Sequence, residues 1–323
     1  MTDLAFRGDV VPLRKPAPEP SEFGAAMLAG LDRANKWVSA KFFYDTAGSQ
    51  LFDRITELPE YYPTRTEMGL LQTHAQEIAK LIGPDATLIE FGAGSSRKVA
   101  LLLDALERPR AYEPVDISGE YLHEVAKKLR ETRPALAVHP IVADFTKPFA
   151  LPGGDARRIG FFPGSTIGNF DRADALAFLR RAARMLKGGG LLIGVDLVKD
   201  PARLHAAYND AAGVTEAFNK NLLVRANREL EADFDLDAFA HYAFYNPSMR
   251  RIEMHLVSLT TQCVSLCGRR IFFAEGETIH TESSYKYTVE GFAALAEEAG
   301  FVSRKVWCDA GGLFSVHWLE AGA

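Results

Sequence analysis

Cysteine is scarce in this chain, and no stretch of it is long and apolar. The three cysteines are Cys263, Cys267 and Cys308. The N-terminal segment MTDLAFRGDVVPLRKPAPEP has none of the apolar run a secretion signal carries. An odd cysteine count in such a chain points to reduced thiols in a cytoplasm rather than a disulfide framework. Cys263 and Cys267 lie four apart, on one face if their segment is a strand. The further ligands a metal would need are not evident, and the eight histidines show no metal spacing, so no metal is expected. No apolar run approaches the ~20 residues of a membrane helix. No lysine and arginine block stands out, and the net charge is −5, which argues against a surface built for nucleic acid or anionic membrane. A G-x-S-x-G elbow, paired catalytic carboxylates and a Walker lysine loop are also missing.

What is present is a globular composition, 47% hydrophobic and 24% charged over 323 residues, enough for one large domain or two modest ones. Residues 1–20 are proline-rich and read as a flexible arm. Thr64-Arg65-Thr66-Glu67 has the capping-box pattern, and Leu71, His74, Ala75, Ile78 and Leu81 follow at helical spacing. The chain then alternates. ATLIEFGAG, RAYEPVDIS, LAVHPIVADF, RIGFFPGST and LLIGVDLV read as strands, separated by helices such as RKVALLLDAL and EYLHEVAKKLRETRP. Repeated strand–helix units imply a parallel sheet covered on both faces.

Near Lys199 the rhythm changes to a long helical stretch and then to mixed polar and apolar strands, RRIEMHLVSLT and RRIFFAEGETIHTESS, which suit an antiparallel sheet. From Thr288 the α/β pattern resumes and ends in a hairpin. The expected fold is α/β, a doubly wound sheet with an inserted second α+β domain. Residues 61–198 plus 288–323 form the first unit and 21–60 plus 199–287 the second.

Ligands of open α/β sheets bind beyond the carboxyl ends of the strands. EFGAGSSRKV places Gly92 and Gly94 there, where a ligand can approach the backbone. Asp116 ends the next strand, 22 residues beyond Gly94, where a carboxylate can accept ribose hydroxyls. Asp144 and Phe145 end the third, an acid and a ring suited to an adenine. Singly, each acid reads equally as a helix cap; together they describe an adenosine pocket. Arg97 stands where a dinucleotide fingerprint needs its third glycine, which disfavours a nicotinamide oxidoreductase. KGGG before the fifth strand and the C-terminal hairpin suit the Rossmann-like sheet of class I methyltransferases, whose cofactor is S-adenosyl-L-methionine.

In IHTESSYKY, Glu282 and Ser284 are two apart and share a side of an extended chain, and His280 is expected on that same face. Without further context this is a charged strand edge facing water. With it, an acid and an alcohol side by side can read the two nitrogens of an imidazole.

KFFYDTAGSQLFDRITELPEYYPTRTE, EFGAGSSRKV, FFPGSTIGNF, YNDAAGVTEAFN and IEMHL before HTESSYKY together resemble the histidine N-alpha-methyltransferases of ergothioneine biosynthesis, over residues 25 to 320. The resemblance implies trimethylation of the α-amino group of L-histidine to hercynine by S-adenosylmethionine. It implies cofactor contacts from Gly92, Lys98, Asp116, Asp144 and Phe145. It places Tyr61, Asn169 and Tyr208 on the amino acid's backbone groups, Glu282 and Ser284 on the imidazole, Met254 along the ring, and Tyr44 and Phe52 near the amine, with Tyr44 positioning it. The smaller domain is then the substrate-binding one, the partner is a small molecule, and the protein is expected to act as a monomer. Competing readings are an N-methyltransferase for another amino acid such as tryptophan and a non-catalytic cofactor-binding module.

Overall fold

The computed structural model describes residues 21–94, 96–153 and 156–322; the arm expected over residues 1–20, and Ser95, lie outside them. The chain opens with α1 (Glu22–Leu31), a short strand β1 (Lys36–Trp37), α2 (Thr46–Glu57) and α3 (Tyr62–Ile82). The start of α3 corrects the capping-box reading. Its N-cap is Tyr61, Pro63 sits in its first turn, and Thr64 and Glu67 lie inside the helix. Proline is pre-set for a first turn and lacks the N–H that a capping side chain would satisfy. Glu67 is instead buried and turned into the molecule.

Next come β2 (Thr87–Phe91), α4 (Arg97–Ala105), β3 (Ala111–Asp116), α5 (Gly119–Thr132), β4 (Ala137–Val138), β5 (Ile141–Val142), β6 (Arg158–Phe162), α6 (Arg172–Met185) and β7 (Gly190–Asp196). LAVHPIVADF is thus two short strands rather than one. The break falls at His139-Pro140, because proline cannot donate to a ladder. Both β4 and β5 pair with β3.

The inserted segment holds α7 (Pro201–Tyr208), α8 (Val214–Leu230), β8 (Phe239–Asn246), β9 (Arg251–Ser258), β10 (Gln262–Leu266), β11 (Arg269–Phe273) and β12 (Thr278–Tyr285). The chain closes with α9 (Val289–Glu298), β13 (Phe301–Cys308) and β14 (Phe314–Ala321).

The large sheet has the order β13-β14-β7-β6-β2-β3-β4. Its pairs from β7 to β4 are parallel, while β14 runs antiparallel to β7 and β13. This is the expected doubly wound sheet, with its closing hairpin. All residues of β2 and β7 are buried, as strands covered on both faces must be. One face packs Leu71, Ile78, Val99, Leu102 and Trp318; the other packs Phe91, Phe162, Phe178, Leu179 and Phe292. The order runs outward from β2 in both directions, so the crevice opens at the carboxyl ends of β2 and its neighbours.

The second sheet has the order β1-β12-β9-β8, with β1 parallel to β12 and the other pairs antiparallel. The N-terminal segment therefore pairs with a strand more than two hundred positions away. A third apolar cluster joins Phe23, Met27, Phe43 and Tyr61 to Phe218, Leu222, Met254 and Ile279. In the β10–β11 hairpin Cys267 and Gly268 form the turn, with φ of 49° and 73°. That is the mirror-image turn a two-residue hairpin favours, and it takes Cys267 off the strand face expected to hold both thiols. Among the described residues no helix is long and apolar enough to cross a membrane.

Candidate active site

The turn after β2 begins at Gly92, with φ of 70°, a conformation glycine adopts without steric cost. A Cβ there would stand 3.4 Å from the Phe145 ring, so the glycine keeps the space over that ring open. Asp116 ends β3, and one of its oxygens accepts the Ser118 N–H at 2.8 Å. Burial raises its pKa. Asp144 follows β5 and accepts from the Thr146 N–H at 3.0 Å and Lys41 Nζ at 3.1 Å. Against a burial that would raise it, the Thr146 and Lys41 bonds hold its carboxyl below the usual range. Phe145 leans on Phe162 and Phe178, ring centroids 5.6 and 6.1 Å away. Lys98, in the first turn of α4, places Nζ 2.6 Å from the Glu67 carboxylate. Glu67 also accepts the Gly164 N–H at 2.9 Å. Gly92, Lys98, Asp116, Asp144 and Phe145 line one cavity of about 840 Å³. Two carboxylates at adjacent strand ends, an open glycine turn and an exposed ring edge match the hydroxyl, amino and aromatic groups of an adenosine, so the residues present fit the expected cofactor.

A narrower chamber of about 50 Å³ adjoins this cavity. It is lined by Tyr61, Tyr208, Met254 and Ser284, and Tyr44, Phe52, Asn169 and Glu282 line both spaces. Tyr44 precedes α2 and Phe52 lies within it, their rings edge-on at 5.8 Å; Tyr61 stands 6.3 Å beyond Phe52. Asn169 ends the short 3₁₀ turn after β6. Phe218 of α8, which sequence reasoning missed, closes the aromatic group at 5.7 Å from Tyr44 and 6.0 Å from Phe52. Only its helical spacing among other core residues marked it.

The floor of the chamber is β12 against β9. His280 pairs with His255 and Glu282 with Met254, so Thr281 is an extra residue, a bulge. Directly opposed residues share a face and successive ones alternate. Glu282, Ser284 and Met254 therefore face the chamber together, while His280 falls on the opposite face. That overturns the expectation that His280 shares the face of Glu282. It stacks on His255, centroids 4.7 Å apart and 13° from parallel. Glu253, His255 and His280 bring possible ligand atoms within 4.8 Å of one another. Lone pairs of two stacked imidazoles run side by side instead of converging on one ion, and Arg251 already holds Glu253 at 2.7 Å.

Glu282 is 8% exposed, and burial raises its pKa to about 7, opposed by Lys286. Ser284 accepts from the Tyr208 hydroxyl at 2.8 Å and from Lys286 Nζ at 2.8 Å. The Tyr208 hydroxyl thus stands beside Ser284 in the chamber. Lys286 is 3% exposed and reaches Asp196 at 2.8 Å. Asp196 also pairs with Lys199 at 2.6 Å and accepts from the Tyr62 hydroxyl at 2.8 Å. Lys286, Asp196 and Lys199 were missed by sequence reasoning, although the alternation of Glu282, Ser284 and Lys286 carried a signal for the first. Burial, followed by Glu282 and Tyr61, pushes the Tyr44 phenol well above 10. The phenol therefore keeps its proton at neutral pH.

The comparisons agree with this geometry. The model of the family described as histidine-specific methyltransferase, SAM-dependent, matches residues 23–321. A histidine N-alpha-methyltransferase of Mycolicibacterium smegmatis is 44% identical over 89% of this chain and 91% of its own length. The histidine N-alpha-methyltransferase of Mycobacterium tuberculosis is 40% identical over 90% and 92%. Ergothioneine biosynthesis protein 1 of Neurospora crassa is 32% identical over 82% of this chain and 31% of its own. A strand-end cradle for adenosine, an acid-tipped chamber beside it and a match across nearly the whole chain lead to one conclusion: this protein belongs to the family of histidine-specific, S-adenosylmethionine-dependent methyltransferases.

Proposed function

We propose that the protein transfers three methyl groups in succession from S-adenosylmethionine to the α-amino group of L-histidine, giving hercynine for ergothioneine biosynthesis. The observation that carries this reading is the placement of Glu282 and Ser284. They sit together at the floor of a chamber in which Tyr44, Phe52 and Asn169 also face the cofactor cavity.

When bound, the cofactor supplies a methyl already activated on a sulfonium. The chain therefore positions two reactants and excludes water, a contribution of roughly 7–11 kcal/mol when alignment is good. Asp116 would accept the ribose hydroxyls, Asp144 the adenine amino group, and Phe145 and Gly92 would shape the slot for the ring, with Lys98 alongside. Asn169 and Tyr61 would donate to the amino acid's carboxylate, and neither adds a charge that opposes a sulfonium. Met254 would line the ring. Glu282 would accept an imidazole N–H, and an aromatic ring without that donor would leave a buried carboxylate unpaired, which costs affinity. The protonated Tyr44 phenol would orient the amine; the amine's proton leaves by way of water before the site closes.

The same reading divides the chain into an arm over 1–20, a methyltransferase domain over 61–198 plus 288–323 and a substrate-binding domain over 21–60 plus 199–287. It places the protein in the cytoplasm as a monomer with no nucleic-acid or membrane partner. The test is incubation with methyl-labelled S-adenosylmethionine and a panel of amino acids, with products read by mass. A gain of three methyls on histidine is expected. Methylation of tryptophan in its place, or of no amino acid, overturns the reading.

A further inference from the structure

Lys286 has no assigned part in this chemistry, yet it is a buried ammonium 2.8 Å from the hydroxyl expected to meet the substrate ring. Its three donors are all engaged: on Ser284 at 2.8 Å, on Asp196 at 2.8 Å and on the Tyr208 oxygen at 3.3 Å. The ammonium therefore cannot swing away from Ser284 without breaking a buried pair. A serine hydroxyl has two acceptor positions and one donor. Lys286 fills one acceptor position and the Tyr208 hydroxyl fills the other. What remains for a ligand is the hydrogen.

We propose that Lys286 is a positioning residue that makes Ser284 a donor only, so that the subsite takes the neutral imidazole, with its N–H on Glu282 and its bare nitrogen on Ser284. This rests on the functional reading above and deepens it by naming the charge state and tautomer of the substrate that the site accepts. A protonated ring would bring a second N–H against a hydroxyl with no acceptor position left and an ammonium directly behind it. Without Lys286 the preference would reverse, because an imidazolium would then take the place of the ammonium that opposes protonation of Glu282. The charged and titratable groups facing this corner are Glu282 from β12, Asp196 and Lys199 at the end of β7, Tyr61 and Tyr62 at the start of α3, Tyr208 of α7 and Tyr44 before α2. Arg251, Glu253 and His255 lie on the other face of the sheet.

The experiment is nitrogen NMR of ring-labelled ¹⁵N-histidine bound to the whole protein with S-adenosylhomocysteine, at pH 5.5 and 7.5. In water the ring, with a pKa of about 6.5, is roughly nine-tenths protonated at the lower pH. The wild-type complex is expected to show one protonated and one bare ring nitrogen at both. Lys286→Met is expected to show two protonated nitrogens at pH 5.5. Two protonated nitrogens in the wild type, or a neutral ring in Lys286→Met, overturn the inference while the functional reading stands. Failure of the wild type to bind histidine at all overturns that reading, and this inference with it. Should the methionine variant not fold, the wild-type spectrum decides alone.

Discussion

Glu282 stands directly across from Met254 on the neighbouring strand, one position past the bulge at Thr281. The bulge sets which side chains look into the chamber. A regular ladder would have put His280 beside Glu282, and the extra residue turns His280 to the other face. The Thr281 hydroxyl, fully buried, stabilises the irregularity by donating to Asn219 Oδ1 at 2.7 Å.

The role of Glu282 predicts a separation of effects. Glu282→Ala lowers kcat/KM for histidine about 10- to 100-fold, the loss expected for one charge-assisted hydrogen bond, and leaves cofactor affinity unchanged. Calorimetry with S-adenosylhomocysteine beside steady-state kinetics checks this; an equal loss in both would make the residue structural.

The aromatic group predicts preference for the methylated intermediate. Cation–π attraction of roughly 0.5–2 kcal/mol becomes available as the amine turns into a fixed cation near Tyr44, Phe52 and Phe218. Phe52→Leu weakens dimethylhistidine by about 2- to 30-fold and histidine less. Equal weakening of the two ligands, measured as Kd, removes the idea.

Glu90 of β2 is buried, accepts the Tyr112 hydroxyl, and burial raises its pKa from 4.5 to about 8. A carboxyl whose folded pKa is raised binds its proton more tightly when folded, so stability is full below about pH 4.5 and declines as pH rises toward 8. Glu90→Gln keeps an acceptor without the charge. Its Tm relative to wild type, without cofactor, rises between pH 5 and pH 8, by roughly 2–4 °C for each kcal/mol gained. A difference that stays flat over that range would show that Glu90 is not taken from water as the fold implies.

Gly194 of β7 leaves room for Glu67. A Cβ there would lie 2.0 Å from Glu67 Oε1 and 2.9 Å from the Phe314 ring. Gly194→Ala displaces the carboxylate from Lys98 and the Gly164 N–H, costs about 1–3 kcal/mol of stability as overpacking does, and weakens S-adenosylhomocysteine binding. Unchanged Tm and Kd would show that Glu67 yields without loss.

Much of this was legible in the sequence, because its signals are local. Strand–helix alternation announced the doubly wound sheet, glycine and acids at strand ends announced the adenosine cradle, and a two-residue spacing put Glu282 and Ser284 on one face. Each depends on backbone geometry over a few residues. The capping-box reading of Thr64–Glu67 failed for the opposite reason: a pattern that satisfies a helix end in isolation was outcompeted by Pro63 and by a distant lysine, Lys98.

By itself, then, the sequence determined the layered α/β sheet, the ends at which its ligands gather and the kind of chemistry those residues serve, since periodicity and turn propensity act within a few residues. Only the tertiary structure decided that Thr281 bulges, that Phe218 closes the aromatic group and that Lys286 reaches Ser284 and Asp196 from the end of β12. These depend on contacts between strands and helices far apart in the chain, whose energies no local pattern records.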